Sequence, residues 1–97
     1  MSDVLQVIET PAILTIYEVA QQAALWQEQL KTTMIDCWSL EALAEFDAAG
    51  LQLLIAMSNA VNTLNQDRKL SIKPPVNPDI AHWLMPRLSL ARGNDNA

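Results

Sequence analysis

Two periods of apolar residues run along this chain, and the places where they change mark its elements. Val4-Leu5-Gln6-Val7-Ile8 is short, β-rich and bounded by Pro11, so a strand is expected over Val4–Glu9. Ile13-Leu14-Thr15-Ile16 is a second β-like run, with a strand expected over Ala12–Leu14. From Tyr17 to Thr32 there is no Gly or Pro, and Ala, Gln, Leu and Glu dominate. Val19, Ala23, Trp26 and Leu30 recur at the spacing of one helix face, while Gln22, Glu28 and Gln29 lie off it. Thr15 sits at the N-cap of this predicted helix. Glu18, three residues on, stands in capping-box position.

Met34 to Trp38 is apolar except for Asp36, as suits a buried strand. Ser39 to Glu45 alternates loosely and reads as a connection with a helical turn. Asp47 then opens the clearest helix, predicted over Ala48–Asn65. Its carboxylate suits the orphan N–H groups and the positive dipole of a first turn. Leu54, Met57, Val61 and Leu64 form the apolar stripe, and Gln52, Asn59, Asn62 and Gln66 are polar positions around it. Leu70-Ser71-Ile72 is a short strand stopped by Pro74-Pro75. Asn77 caps a last helix that has Pro78 at its first position. Ile80, Ala81, Leu84 and Leu88 form its packing side, and Pro86 ends or kinks it. Arg92 to Ala97 is a polar tail expected to fray. Strands alternating with helices imply an α/β fold with a mainly parallel sheet.

Composition narrows the function. The 97 residues fit one domain, and 51% are apolar, enough for a core. Six Lys and Arg stand against 11 Asp and Glu, a net charge of -5. Phosphate-backbone binding needs clustered positive charge, so nucleic acid is not an expected partner. Met1 to Thr10 carries no basic residue and no continuous apolar stretch, so no signal peptide is expected there. No segment reaches the roughly 20 apolar residues of a membrane span. Membrane insertion is therefore not expected, and the expected location is cytoplasmic.

Candidate chemistry is sparse. The one cysteine, Cys37, excludes an internal disulfide and reads as a buried hydrophobe. The one histidine, His82, cannot supply a multi-His metal site, so no metal or cofactor is expected. Gly50 and Gly93 are the only glycines, too few for a phosphate-cradling loop. Asp36 and Asp47 are a candidate carboxylate pair, with a helix cap and a loop-ordering carboxylate as the favoured alternative. Trp26, Trp38 and Trp83 are separated in sequence, and packing suits them better than stacking on bases. No enzymatic constellation emerges.

The run Phe46-Asp47-Ala48-Ala49-Gly50-Leu51-Gln52-Leu53-Leu54 resembles the STAS domains, the family of bacterial anti-sigma factor antagonists. Members carry a strand ending in Asp, a short connection, and Asp-(Ser/Thr)-(Ser/Ala)-Gly-Leu opening a long helix. Asp36 is similar to the strand Asp, and Asp47 to Leu51 are similar to the helix opening. Leu14-Thr15-Ile16-Tyr17-Glu18 is similar to the lead-in of the family's first helix. Gly-Leu-Gln-Leu-Leu is especially like the STAS proteins of chemotaxis-type signalling. The likeness spans roughly Val4 to Leu90.

The resemblance implies a STAS-like, mainly parallel sheet of about four to five strands with helices packed on it. It also implies a non-enzymatic, protein-binding role in signal transduction. The implied partner is an anti-sigma factor or a histidine-kinase-like protein. Contacts would come from Asp47, Ala48, Ala49, Leu51 and Gln52, with Asp36 and Ser39 at the rim. Classical members are released by phosphorylation of a hydroxyl before the Gly, since phosphate adds charge to the contact. Here Ala48 and Ala49 have no hydroxyl, and Ser58 falls about three turns into the helix. A constitutive docking module, or one regulated on the partner's side, is therefore expected. The alternative role within the family is a subunit supporting the ATPase of a lipid-transport ABC system.

Overall fold

The computed structural model describes residues 7–32, 35–64 and 71–88. The order is β1 (Val7–Glu9), β2 (Ile13–Leu14), α1 (Val19–Thr32), β3 (Cys37–Ser39), β4 (Glu45–Phe46), α2 (Ala48–Leu64), β5 (Ser71–Lys73) and α3 (Pro78–Leu84). A single 3-10 turn, Met85–Arg87, follows. The fold is α/β, and all strand pairs among the described residues are parallel.

The expected single sheet divides in two, of order β1-β3-β5 and β2-β4. Glu9 pairs with Ser39 and Ile13 with Glu45, so an advance of four residues on one side opposes an advance of six on the other. The excess is absorbed in a turn closed by Leu43 N–H on the Leu40 carbonyl. Pairing resumes at the Ala12 carbonyl, which accepts from both Ala44 N–H (2.8 Å) and Glu45 N–H (2.9 Å). Pro11 sits in the gap and has no N–H to give to a ladder. The Ser39–Glu45 connection thus holds a turn, as expected, but ends in β4, which its polar sequence conceals.

Alternation along the strands separates inside from outside. Ile8, Trp38 and Ile72 share one row and Leu14 pairs with Phe46, all turned toward the core. Trp26 of α1, Leu54, Met57 and Val61 of α2, and Leu84 and Leu88 close over them. Trp26 and Trp38 meet edge to face at 6.0 Å, as their quadrupoles favour. Each indole N–H is satisfied, Trp26 on the Glu9 carbonyl (3.2 Å) and Trp38 on the Thr10 hydroxyl (2.9 Å). Cys37 is buried outside this cluster, and burial pushes its thiol up, as suits an inert side chain.

The element boundaries differ from expectation at a few places. The first helix begins at Val19, not Tyr17, because the Thr15 carbonyl accepts from both Glu18 N–H and Val19 N–H in a tight turn. The third strand occupies Cys37–Ser39, so Asp36 precedes it. The last strand runs Ser71–Lys73. At α3, Asn77 caps as expected, its side chain accepting from Asp79 N–H (2.9 Å) and Ile80 N–H (3.3 Å), with Pro78 next. Pro86 converts the helix end into the 3-10 turn. The expectations on Val4–Gln6, Met34, Asn65–Leu70 and Arg92–Ala97 lie outside the described residues. No described helix is long and apolar enough to cross a membrane.

Candidate functional site

β4 ends at Phe46, and Asp47 carries the chain directly into α2. Its backbone carbonyl accepts the first helical bond, from Leu51 N–H (2.8 Å). One carboxylate oxygen accepts from Gly50 N–H at 2.9 Å, the N-cap bond of the first turn. The other accepts from Ile16 N–H, also at 2.9 Å and 31 residues away. One carboxylate thus starts α2 and ties that start to the segment before α1.

Gly50 explains the rest of the motif. A Cβ placed there would collide with the Leu14 carbonyl oxygen and press on Phe46 Cβ at 3.1 Å. The first turn of α2 therefore lies directly against the backbone of β2. Asp47 supplies the bond and Gly50 supplies the clearance.

The Ile16 segment is itself braced. Glu18 Oε1 accepts from Thr15 N–H (2.8 Å) and from the Thr15 hydroxyl (2.6 Å). This is the carboxylate half of the predicted capping box. Between these anchors Ile16 and Tyr17 point outward, 60% and 90% exposed. Tyr17 is the most exposed of the large hydrophobic side chains among the described residues. On the other side of Asp47, Phe46 packs on half-exposed Trp83 at 5.9 Å. Arg87 lies 4.0 Å over the Trp83 ring and donates to its carbonyl.

The structure assembles only part of the expected contact set. Asp47, Ala48 and Gln52 are exposed together on the first turn of α2, and Ala49 and Leu51 are half-buried beside them. Ser39 is not at a rim. It is 3% exposed, on the central strand between Glu9 and Lys73. Asp36 does not end a strand either: it stands at the amino end of β3, its carbonyl accepting from Ser71 N–H (3.0 Å). The candidate carboxylate pair is not assembled, since Asp36 opens β3 while both Asp47 oxygens are held by N–H groups at the carboxyl end of β4. Ile16 and Tyr17 were not anticipated as surface residues. Tyr17 sits about 200° around a helix from Val19, and an aromatic so far off the apolar stripe is the signal that would have found it.

No three His, Cys, Asp or Glu side chains among the described residues are placed to hold a metal. An open apolar groove of about 180 Å³ lies between α1 and α2, lined by Ala23, Trp26, Leu30, Leu53, Ala56 and Met57 among others. It is smaller than an ordinary ligand pocket of roughly 300–1,000 Å³.

The hydrogen bonds set the electrostatics. Gly50 and Ile16 N–H groups hold Asp47 below the usual carboxylate range. Glu18 is lowered by the Thr15 hydroxyl and N–H, against a weaker opposing effect of nearby Asp47. A carboxylate depressed by folding contributes stability above its unfolded pKa and loses it as pH falls through the folded value. Stability should therefore decline on acidification below about pH 4. Asp47→Asn should fall less steeply there while starting lower at neutral pH. Denaturant midpoints at neutral and acid pH measure both slopes, and parallel slopes would remove Asp47 from this role.

No family model, curated protein or solved structure matches this chain.

Proposed function

We propose that this chain is a non-enzymatic, STAS-type docking module of bacterial signal transduction that binds a partner protein through the first turn of α2. The observation that carries the reading is the double engagement of Asp47. It presents a small, uncharged first turn, Ala48-Ala49-Gly50, rigidly beside exposed Ile16 and Tyr17. A surface fixed before binding loses little ordering entropy when a partner arrives. Ala48 leaves room for the partner backbone to approach closely. With no hydroxyl at 48 or 49, the complex is constitutive or is regulated on the partner's side. The proposed partner is an anti-sigma factor or histidine-kinase-like protein.

Ala48→Gln tests this, because its bulk blocks the close approach without changing the charge of the surface. The residue is exposed and Gln is a good helix former, so the variant folds. The natural partner is first identified by mass spectrometry after affinity purification from the native cell. Its recovery should then fall at least roughly tenfold with the variant. Unchanged recovery removes the first turn of α2 from the contact, and a lipid-transport ATPase as the partner would replace signalling by transport.

A further inference from the structure

We infer that the partner of this surface is a basic protein segment, one that seats an apolar side chain beside Ile16 and Tyr17 and brings Lys or Arg to the carboxylates around them. The inference rests on the docking reading and adds the partner's chemistry. Ile16 and Tyr17 are two consecutive exposed large hydrophobics, just past the carboxyl end of β2 in its parallel pairing with β4. Ligands of open α/β sheets bind at such ends. The step is held from both sides, by Asp47 on Ile16 N–H and by Glu18 on Thr15. It is therefore a preformed anchor.

Charge chooses the occupant. Residues 12–18 and 44–52 meet here and carry Glu18, Glu45 and Asp47, with no Lys or Arg. Hydrogen bonds keep Glu18 and Asp47 ionised, and both stay at the surface. Arg87, which reaches this region through Trp83 and Phe46, is stacked on the Trp83 ring. An acidic segment, an anionic membrane or a nucleic acid would meet uncompensated negative charge. A basic protein segment gains steering and register from it.

The test uses two short helical peptides with identical Leu positions, one with Lys and one with Glu at its polar positions, titrated into the isotope-labelled chain. The Lys peptide should shift the amides of Ile16, Tyr17, Ala48 and Leu51 saturably. Its affinity should fall roughly tenfold in Tyr17→Ala, whose side chain supports nothing in the fold. Affinity should also weaken severalfold between low salt and about 0.5 M salt. If the Glu peptide moves the same amides equally well, the basic partner is wrong while the docking surface stands. If neither peptide moves them, or the Lys peptide shifts the α1–α2 groove instead, the inference is overturned. The docking reading is then judged on Ala48→Gln and the natural partner alone.

Discussion

Gly50→Ala is expected to lower stability by about 3 kcal/mol, although Gly→Ala inside an ordinary helix raises it by about 1 kcal/mol. The sign reverses because the added methyl has no free space. It meets the Leu14 carbonyl, a backbone atom that cannot rotate away, and Phe46 Cβ beyond it. Relief requires the start of α2 to lift from β2. That movement stretches the Asp47 bonds to Gly50 and Ile16 and disturbs the pairing of Leu14 with Phe46. Against a typical total of roughly 5–15 kcal/mol, the loss is readily seen in a urea midpoint. A stability gain would show that the close approach does not exist. The same variant should weaken partner binding beyond its effect on folding, because it displaces the turn that carries Ala48.

Trp38→Phe is expected to cost about 3 kcal/mol. Roughly 2 kcal/mol comes from leaving the buried Thr10 hydroxyl without its partner. Roughly 1 kcal/mol more comes from the volume lost beside Trp26. Both residues are buried, so water cannot replace the bond cheaply. Thr10→Val orphans the indole N–H instead and should cost about 2 kcal/mol. The double variant removes both partners and should cost clearly less than the two single losses added together. Strict additivity in this cycle would show that the Trp38–Thr10 bond contributes nothing.

Much of this architecture is legible in the sequence, and particular residues say why. The stripe from Leu54 to Val61, the Asp47 cap and the Asn77-Pro78 start act within one or two turns, so local pattern reveals them. β4 was hidden because Glu45-Phe46 is too short to show a period, and only pairing with Ile13 and Leu14 makes it a strand. The position of Asp36 is not legible locally because the register of β3 is set by Val7 and Ser71, distant in the chain. At the site, Asp47 and Gly50 could be singled out from their helix-opening pattern. Their second partners, Ile16 N–H and the Leu14 carbonyl, are tertiary contacts that no spacing in the sequence encodes. A rim position for Ser39 rests on the family resemblance alone, and its small hydroxyl instead fits the central strand.

The strand pairing also governs how this chain comes together in time. Val7 finds Cys37 across 30 positions, Ile13 finds Glu45 across 32, and Cys37 finds Ser71 across 34. None of these neighbours is joined by a tight hairpin, so each ladder bond encloses a long loop whose entropy must be lost first. Helices can nucleate locally, but β3 waits for residues emerging on either side of it. On the ribosome its second edge stays open until Ser71–Lys73 is synthesised. That places an aggregation-prone moment of biogenesis between the synthesis of β3 and that of β5.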